Sequence, residues 1–395
     1  MTVAASGKMD DRAPSALPTQ AAAEIDEAAA PATSIAGLET FSAQVWEGVA
    51  PSRRTPMQQW IWVRAAAETL SPLVPVRVLS VGPATQPLAL AALTPNLNGV
   101  PRLNLLGAEE ISESVEVPYR TESALEALAQ GLASTGLPLR FGHYLADTPL
   151  VPALRRAYRG RGLVVAKPLP ARGCPSITLD PSWIEPESHF NRRRRSDFRR
   201  MQRAAEQLGA VSHEIIAPMP DQLAAMLDDA MAVEAQGWKG RAGTAMAHDE
   251  RLARFYRRYA ELACEAGILR LCFLRIGGRA AAMQLAVETE NRFWLFKIGY
   301  DETFKRCSPG NLLLRETIRH AAERGLQSFE FLGKEAAWTT LWTDAARPLV
   351  ALRTYPYNLA GAAALAGDAG RALLQRLVHT SLPFRRPLSE GASHA

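Results

Sequence analysis

One segment, residues 292–333, constrains the fold of this chain more than any other. Aromatic and β-branched residues over 292–300 (RFWLFKIGY) predict a strand, and a Ser-Pro-Gly loop follows at 305–311. Apolar residues at helical spacing predict a helix over 312–324, which ends at a glycine, and 328–332 predicts a second strand. The expected unit is therefore strand, tight loop, helix, strand.

The loop in this unit is a candidate anion site. A helix that begins directly after a glycine loop presents backbone N–H groups without partners and the positive end of its dipole. Together these features suit a pyrophosphate, and Lys305 and Arg306 add positive charge beside them. The same pattern also occurs as a plain connection, because Pro sets a turn and Gly relaxes it.

Composition limits the class of protein. At 395 residues the chain is too long for one core, so we expect two domains. No apolar run reaches the ~20 residues of a membrane span, and no signal pattern is visible, so we expect a cytoplasmic protein. Four separated cysteines and seven ungrouped histidines predict neither a disulfide framework nor a metal site. A net charge of +5 permits an acidic ligand without requiring nucleic acid.

The order of predicted elements repeats between the two halves of the chain. In each half a helix, a hairpin and a further strand precede a helix and a last strand, which is an α+β layout. We expect two tandem domains, each with a mixed, mostly antiparallel sheet flanked by helices. The predicted boundaries are a disordered tail (1–37), a degenerate N-terminal lobe (38–180), a C-terminal lobe with the anion loop (181–358), and a helix with a tail (359–395). The loop of the N-terminal lobe at 108–116 is acidic and would repel pyrophosphate.

Four stretches carry a resemblance to a known family. They are Arg192–Arg200, Gly237–Arg241, Gly299–Glu302 with the Ser308-Pro309-Gly310 loop, and Phe329–Gly333 leading to Trp338 and Trp342. In their order and spacing the chain resembles the Gcn5-related N-acetyltransferase superfamily. Within it, the chain is most similar to the double-domain BioF2-like branch, which includes CelD proteins and is related to FemAB-type aminoacyltransferases. The similarity is good over about 185–356 and rests on layout alone before that.

The resemblance implies a co-substrate and its binding residues. These are acetyl-CoA or another acyl-CoA, with no metal, and an amine as acceptor. The residues implied for the coenzyme are Phe296 and Ile298 beside its pantetheine arm, and Ser308, Pro309, Gly310, Asn311 and Leu312 around its pyrophosphate. The chain departs from its relatives at Trp338-Thr339, where they tend to carry a Tyr-Lys pair.

Acyl transfer to an amine needs a donor to polarise the thioester, a base for the amine and an acid for the thiolate. Tyr300 is our candidate acid, and the alternative is a tyrosine that packs at the sheet edge. Asp301 and Glu302 are candidate bases, with a solvated turn as the alternative, and Glu330 and Glu335 are rival candidates for the same role.

Three residues are candidates for binding the acceptor. Trp238, Lys239 and Arg241 lie on a loop between glycines, where an aromatic ring and two cations suit an anionic or sugar-like substrate. The alternative is a surface loop with one anchoring tryptophan.

We therefore predict an acyl-CoA-dependent N-acyltransferase that acts on a small molecule or sugar, with envelope or exopolysaccharide metabolism as a possible setting. Two alternatives stay open: a FemAB-like transferase that uses aminoacyl-tRNA, and a non-catalytic scaffold in polysaccharide assembly. No specific nucleic acid is expected. The helix predicted at 360–378 could cover a lobe or lie on a membrane surface.

Overall fold

The computed structural model describes residues 32–49, 55–96, 99–237, 249–333 and 335–381. All of them belong to one compact unit, Pro31–Ala395. The N-terminal half contains, in chain order, β1 (Thr33–Gly37), α1 (Ala43–Glu47), α2 (Trp60–Leu70), β2 (Arg77–Val81), β3 (Ala89–Asn96), β4 (Arg102–Leu105), α3 (Ala108–Ile111), α4 (Glu122–Ser134), β5 (Arg140–Leu145), α5 (Leu150–Ala157) and β6 (Gly162–Thr178).

The C-terminal half continues with α6 (Arg192–Glu206), β7 (Val211–Ile216), α7 (Pro220–Ala235), α8 (Glu250–Glu265), β8 (Leu269–Ile276), β9 (Arg279–Thr289), β10 (Arg292–Tyr300), α9 (Pro309–Glu323), β11 (Ser328–Glu330), β12 (Ala346–Pro356) and α10 (Leu359–Ser381). Within the described residues, no helix combines the length and the apolar character needed to cross a membrane.

Both halves are built to the same plan, as the sequence predicted. Strands β1 to β4 form one antiparallel sheet, and β7 to β10 are likewise antiparallel neighbours in a second sheet. In each half a helix, α4 or α9, then crosses to a strand that runs parallel to the fourth one. This parallel contact is a single bridge, Leu103 to Leu139, in the first half and a short ladder between β10 and β11 in the second. The fold is therefore α+β, with two tandem domains.

The last strand of each half pairs with the other half. Strand β6 of the N-terminal half pairs antiparallel with β11, and β12 of the C-terminal half pairs antiparallel with β5. The two exchanged strands also pair with each other, so the second sheet has the order β5-β12-β6-β11-β10-β9-β8-β7. Each half thus completes a sheet that begins in the other.

The hydrophobic core also joins the halves. Trp62 of α2 packs edge-on against Phe255 and Tyr259 of α8, and it stacks on Phe296 of β10 with 5.5 Å between ring centroids. All four rings are nearly inaccessible to solvent. Aromatic burial of this kind contributes a large share of core stability, so β10 is held from the N-terminal side as well.

Two predicted boundaries were wrong. Residues 33–37, assigned to the disordered tail, form strand β1 and pair with β2. The helix expected from Leu312 begins at Pro309, and a 3-10 helix, Glu302–Cys307, occupies most of the expected loop. Pro is well suited to the first helical position because it has no N–H to leave unsatisfied, so the helix begins before the glycine.

Candidate active site

Strands β10 and β11 separate after a short contact. Their parallel ladder runs only from Arg292 to Trp294, and β11 ends at Glu330. A β-bulge between Leu295 and Lys297 shifts the register of β10 against β9 at the same level. A bulge bends and twists its strand, so the end of β10 turns away from β11 and opens the sheet.

The backbone after β11 is strained where this opening lies. Leu332 has a φ of 55° and Gly333 a φ of 62°, so two successive residues adopt the left-handed conformation. On the other side, Ser308 ahead of α9 has a φ of 46°. Positive φ in a residue with a side chain costs free energy and clusters at binding and catalytic sites. The strain therefore marks this opening as a candidate site.

A cleft of about 830 Å³ occupies the opening. Three groups of residues line it: the end of β10 (Phe296, Ile298, Tyr300), the first turn of α9 (Ser308–Asn311), and the turn after β11 (Phe331–Gly333). These include the residues that the sequence predicted for the coenzyme, apart from Leu312. Leu312 is fully buried in the core below α9 and does not line the cleft.

The cleft has contacts on both faces of the sheet. Phe296 and Leu332 belong to the core shared with the N-terminal half. Ile298, Tyr300 and Phe331 pack instead against the core beneath α6 and α9. We call the face that carries Phe296 and Leu332 the α7 side, and the face that carries Ile298, Tyr300 and Phe331 the α9 side. A ligand that fills the cleft can reach both of them.

The N-terminus of α9 offers fewer free N–H groups than the sequence suggested. The N–H groups of Asn311 and Leu312 both donate to the Ser308 carbonyl, at 3.0 and 3.3 Å, and Ser308 N–H donates to Lys305. Pro309 has no N–H. The N–H of Gly310 has no hydrogen-bond partner among the described residues, and Lys305 also lines the cleft. The anion-binding groups on this side are therefore one backbone N–H, the helix dipole and one ammonium.

The structure separates the predicted acid from two of the predicted bases. Tyr300 lines the cleft, and its ring would lie 3.9 Å from a Cβ on Gly310. Asp301 and Glu330 are not among the lining residues. The carboxylate of Asp301 accepts the Thr303 N–H and pairs with Arg279 at 3.0 Å.

Glu330 is held in a similar way. Its Oε1 accepts a 2.6 Å hydrogen bond from Ser328 and lies 3.5 Å from Arg292. Alternation along β11 does turn its side chain away from Phe329 and Phe331. The geometry gives neither Asp301 nor Glu330 a route to a substrate in the cleft, because both carboxylates are engaged elsewhere.

Trp238, Lys239 and Arg241 lie outside the described residues, so their predicted role stays a prediction. Gly237, which precedes them, lines the cleft. Trp338 lines it too and packs edge-on against Phe331 at 5.8 Å. Thr339 is buried, and its hydroxyl bonds to the backbone of Ala336. Thr339, where the chain differs from its relatives, thus closes a local turn with Ala336.

Sequence reasoning missed three polar residues of the cleft. Glu234 of α7 and Gln284 of β9 are 1% and 2% exposed, and Glu113 comes from the acidic segment of the N-terminal half. The Oε1 atom of Gln284 has no hydrogen-bond partner in the part of the chain that the structure describes. No pattern in the sequence links Glu113 to β10, because the contact arises only when the two halves pack together.

The environment of Glu113 changes its acidity. The side chain is nearly enclosed, and its Oε2 accepts the Gly333 N–H at 3.1 Å. Burial, partly offset by the Lys297 charge and by this hydrogen bond, raises the pKa of Glu113 to about 7. Among the described residues, no group of three or more His, Cys, Asp or Glu side chains could hold a metal ion.

Comparison with known proteins identifies the domain that contains this cleft. Residues 192–339 match the model of the acetyltransferase (GNAT) domain. The chain therefore contains a GNAT domain in its C-terminal half. No curated protein matches the sequence. The GNAT domain contains β7 to β11, the bulge of β10 and the first turn of α9, so the matched residues surround the opening.

Solved structures share the fold of the whole chain. FemX is 12% identical, with a TM-score of 0.51 over 80% of this chain and 96% of its own. A conserved protein of unknown function from Bacteroides thetaiotaomicron is 10% identical, with a TM-score of 0.51 over 79% of this chain and 95% of its own. These similarities extend beyond the GNAT domain to both halves, and they concern the fold alone. The chain thus combines a GNAT domain with a two-domain fold that these structures share.

Proposed function

We propose that the chain transfers an acyl group from an acyl-CoA thioester to an amine in the cleft between β10 and β11. The observation that carries this proposal is the separation of the two strands directly beside the first turn of α9. An open strand edge suits the extended pantetheine arm, because backbone groups can pair with its amides. The adjacent helix N-terminus suits the pyrophosphate.

The residues of the cleft fit such a donor. A volume of about 830 Å³ lies in the range of small-molecule sites. Gly310 N–H and the Lys305 ammonium would bind the pyrophosphate. The Oε1 of Gln284, which has no partner among the described residues, would accept an amide N–H of the arm, since a buried acceptor without a partner costs free energy until a ligand supplies one.

Tyr300 would act as the acid in this reaction. It lies at the end of β10, within the cleft and next to Gly310. When the C–N bond forms and the C–S bond breaks, its hydroxyl would protonate the departing thiolate. A backbone N–H of β10 would polarise the thioester carbonyl, so no further side chain is needed for that purpose.

Isothermal titration with acetyl-CoA and longer acyl-CoAs tests the proposal. We expect saturable binding by the unaltered chain. Gly310→Pro removes the N–H that has no partner among the described residues, and since a hydrogen bond to a charged group contributes about 1.5–3 kcal/mol, binding should weaken about tenfold or more. Gly310→Ala keeps the N–H and meets nothing closer than 3.9 Å, so it is the matched control.

Lys305→Gln supplies a second variant that leaves the helix backbone unchanged. It should weaken binding and reduce its dependence on salt. An absence of saturable heat with every acyl-CoA tested would overturn the proposal. Binding without turnover on a broad panel of amines would favour the scaffold alternative. The location in the cytoplasm and the setting in envelope metabolism remain predictions.

A FemAB-like activity is the second candidate, and one surface favours it. Helix α6 packs against the segment Glu302–Cys307, beside the cleft. Six of its arginines are exposed: Arg192, Arg193, Arg195, Arg199, Arg200 and Arg203. Steeply salt-dependent binding of tRNA, lost when these arginines are changed to glutamine, would favour this candidate over the coenzyme.

A further inference from the structure

We propose that Glu113, from the N-terminal half, is the general base that takes the proton of the acceptor amine in the cleft of the GNAT domain. This inference rests on the proposed acyl transfer. The role of general base is the one for which two residues predicted from the sequence, Asp301 and Glu330, lie outside the lining of the cleft. It also makes the active site a joint product of both halves.

The local backbone directs Glu113 inward. Helix α3 ends at Ile111, and the next residue, Ser112, has a φ of 61° and turns the chain toward the core. Glu113 is then 6% exposed, and its carboxylate meets the N–H of Gly333 across the cleft. Gly333 belongs to the strained turn after β11, opposite the end of β10. The carboxylate is therefore fixed at the edge of the sheet opening.

Glu113 lies on the side of the sheet opposite to the anion-binding groups. Its charged neighbour Lys297 lies over the ring of Tyr256, 4.5 Å from its centroid, and Tyr256 belongs to α8 of the shared core. The anion-binding groups of Gly310 and Lys305, together with Ser308, line the cleft on the α9 side. A donor whose pyrophosphate binds there would extend through the opening, and the acceptor would then meet the acyl carbon on the side of Glu113.

Other carboxylates are less suitable. Glu335 is exposed at the rim, where water competes for any proton. Glu234 lines the cleft, but its Cα lies only 2.7 Å from where a Cβ on Gly299 would be, so β10 packs closely against it. One oxygen of Glu113, Oε2, is oriented by Gly333, and no other hydrogen bond within the described residues reaches the carboxylate. Its Oε1 is the atom that would receive the proton.

The proton affinity of Glu113 suits this task. Burial is the main cause of its raised pKa, about 7, while Lys297 and the Gly333 N–H act in the opposite direction. The other ionisable groups near it are Tyr256 of α8 and Cys174 of β6, both sensitive to its charge, and Glu234 of α7 lines the same cleft. A base is most effective when its pKa lies near the working pH.

The proposed step balances in atoms and electrons. The amine nitrogen forms a bond to the thioester carbon and loses one proton to Oε1 of Glu113. The C–S bond breaks with its electron pair on sulfur, and the Tyr300 hydroxyl protonates the thiolate. Water then returns the proton from Glu113 to Tyr300. The products are an amide and free coenzyme A, and no oxidant or metal is required.

Three measurements on the full chain test the role of Glu113. The variant is Glu113→Gln, and the matched control is Glu110→Gln, which lies in the same acidic segment outside the cleft lining. Glu113→Gln should bind acetyl-CoA within about twofold of the unaltered chain. Its turnover on an amine found by panel screening should fall at least about 100-fold, in line with the usual effect of a general base. The turnover of the unaltered chain should rise with pH through an apparent pKa near 7, and Glu113→Gln should not show this rise.

The third measurement needs neither coenzyme nor acceptor. A carboxyl whose pKa is higher in the folded than in the unfolded protein makes folding less favourable as pH rises between the two values. The thermal midpoint of the unaltered chain should therefore fall relative to Glu113→Gln as the pH rises from about 4.5 to about 7. Glu110→Gln should show no such difference.

The outcomes separate this inference from the proposed function. If acetyl-CoA binds but Glu113→Gln keeps its activity and its pH profile, Glu113 is not the base. If Glu234→Gln instead removes the profile, Glu234 has that role and the proposal for Glu113 is overturned. If no acyl-CoA binds at all, the proposed function fails, whatever the thermal midpoints show about the proton affinity of Glu113.

Discussion

Gly299 shows how one residue without a side chain determines the shape of the cleft. A Cβ at this position would lie 2.7 Å from Cα and 3.0 Å from Cβ of Glu234. The first of these is a backbone atom of α7, which cannot rotate away as a flexible side chain can. Gly299 has no need of a left-handed backbone, so the requirement is for space. Helix α7 can approach β10 closely only because the residue is glycine.

Changing Gly299→Ala should therefore destabilise the chain. Overpacking of this kind costs about 1–3 kcal/mol, because α7 or β10 must shift. Gly367→Ala is the matched control: nothing lies within 4 Å of its added Cβ, and alanine favours the helix α10 by about 0.5–1 kcal/mol. Urea unfolding measures both variants. Equal free energies of unfolding for Gly299→Ala and the unaltered chain would contradict the prediction, because α7 would then shift away from β10 at no cost in stability.

Helix α10 depends on a buried carboxylate. Asp368 pairs with Arg102 of β4 at 2.8 Å and accepts a 2.8 Å hydrogen bond from Tyr355 of β12. Arg353 and Arg371 each lie 3.1 Å from it. Burial would raise the pKa of Asp368, but Arg102, the Tyr355 hydroxyl and Arg353 outweigh burial and hold the pKa below its usual value of 3.8. The helix is thus bound through charge to both halves of the chain.

Removing this charge should release α10. Asp368→Asn leaves the nearly buried Arg102 without a counter-charge, and breaking a buried pair costs about 3–5 kcal/mol. Hydrogen exchange over Leu359–Ser381 and urea unfolding would detect the loss. Asp228→Asn, whose partner is an exposed arginine, should cost less than about 1 kcal/mol.

The carboxylate of Asp368 also predicts that the stability of the chain falls at acidic pH. Since the pKa of Asp368 is lowered on folding, its stabilising effect is complete above the ordinary value of 3.8. The effect is lost as pH falls from there through the lower folded value. The difference in stability between the unaltered chain and Asp368→Asn should shrink over this range. A constant difference would contradict the assigned charge network.

At the scale of the molecule, the exchanged strands interlock the two halves. Without β6, strand β11 would lose its neighbour on one side, and without β12, β5 would lose its own. Exposed strand edges of this kind promote aggregation. The halves are therefore unlike a pair of domains joined by a linker, because each supplies part of the other's sheet.

A chain cut between Glu185 and Pro186 tests this interdependence. We expect the fragments 1–185 and 186–395 to aggregate when expressed separately and to form a 1:1 complex when expressed together. The control is fragment 186–345, which lacks β12 and should not assemble with the first fragment. Size-exclusion chromatography and circular dichroism report the result. A monomeric, folded 186–395 fragment would contradict the prediction.

Local sequence patterns were sufficient for the elements around the site. Alternation over β8, β9 and β10 and the glycine that ends α9 are signals within a few residues, and each predicted the observed element. They also placed Tyr300 and Gly310 beside the cleft. The start of α9 was missed because Pro309 begins a helix as readily as it makes a turn.

The acidic segment at 108–116 shows where sequence reasoning stopped. Its charge argues against a second pyrophosphate site, but nothing in it indicated that Glu113 lines the cleft of the other half. Alternation placed Glu330 opposite Phe329 and Phe331 without revealing that Arg292 and Ser328 hold it. Such contacts join residues far apart in the chain, and their geometry depends on packing.

The sequence by itself determined the repeated α+β plan, the strand and helix on either side of the opening, and the presence of a GNAT domain. These follow from side-chain periodicity and backbone preference, which act over one or two turns. Only the tertiary structure decided which strands were exchanged, which N–H of α9 remained available, and which carboxylate entered the cleft. Burial and hydrogen bonding decide those features, and both depend on neighbours that the chain brings together only when it folds.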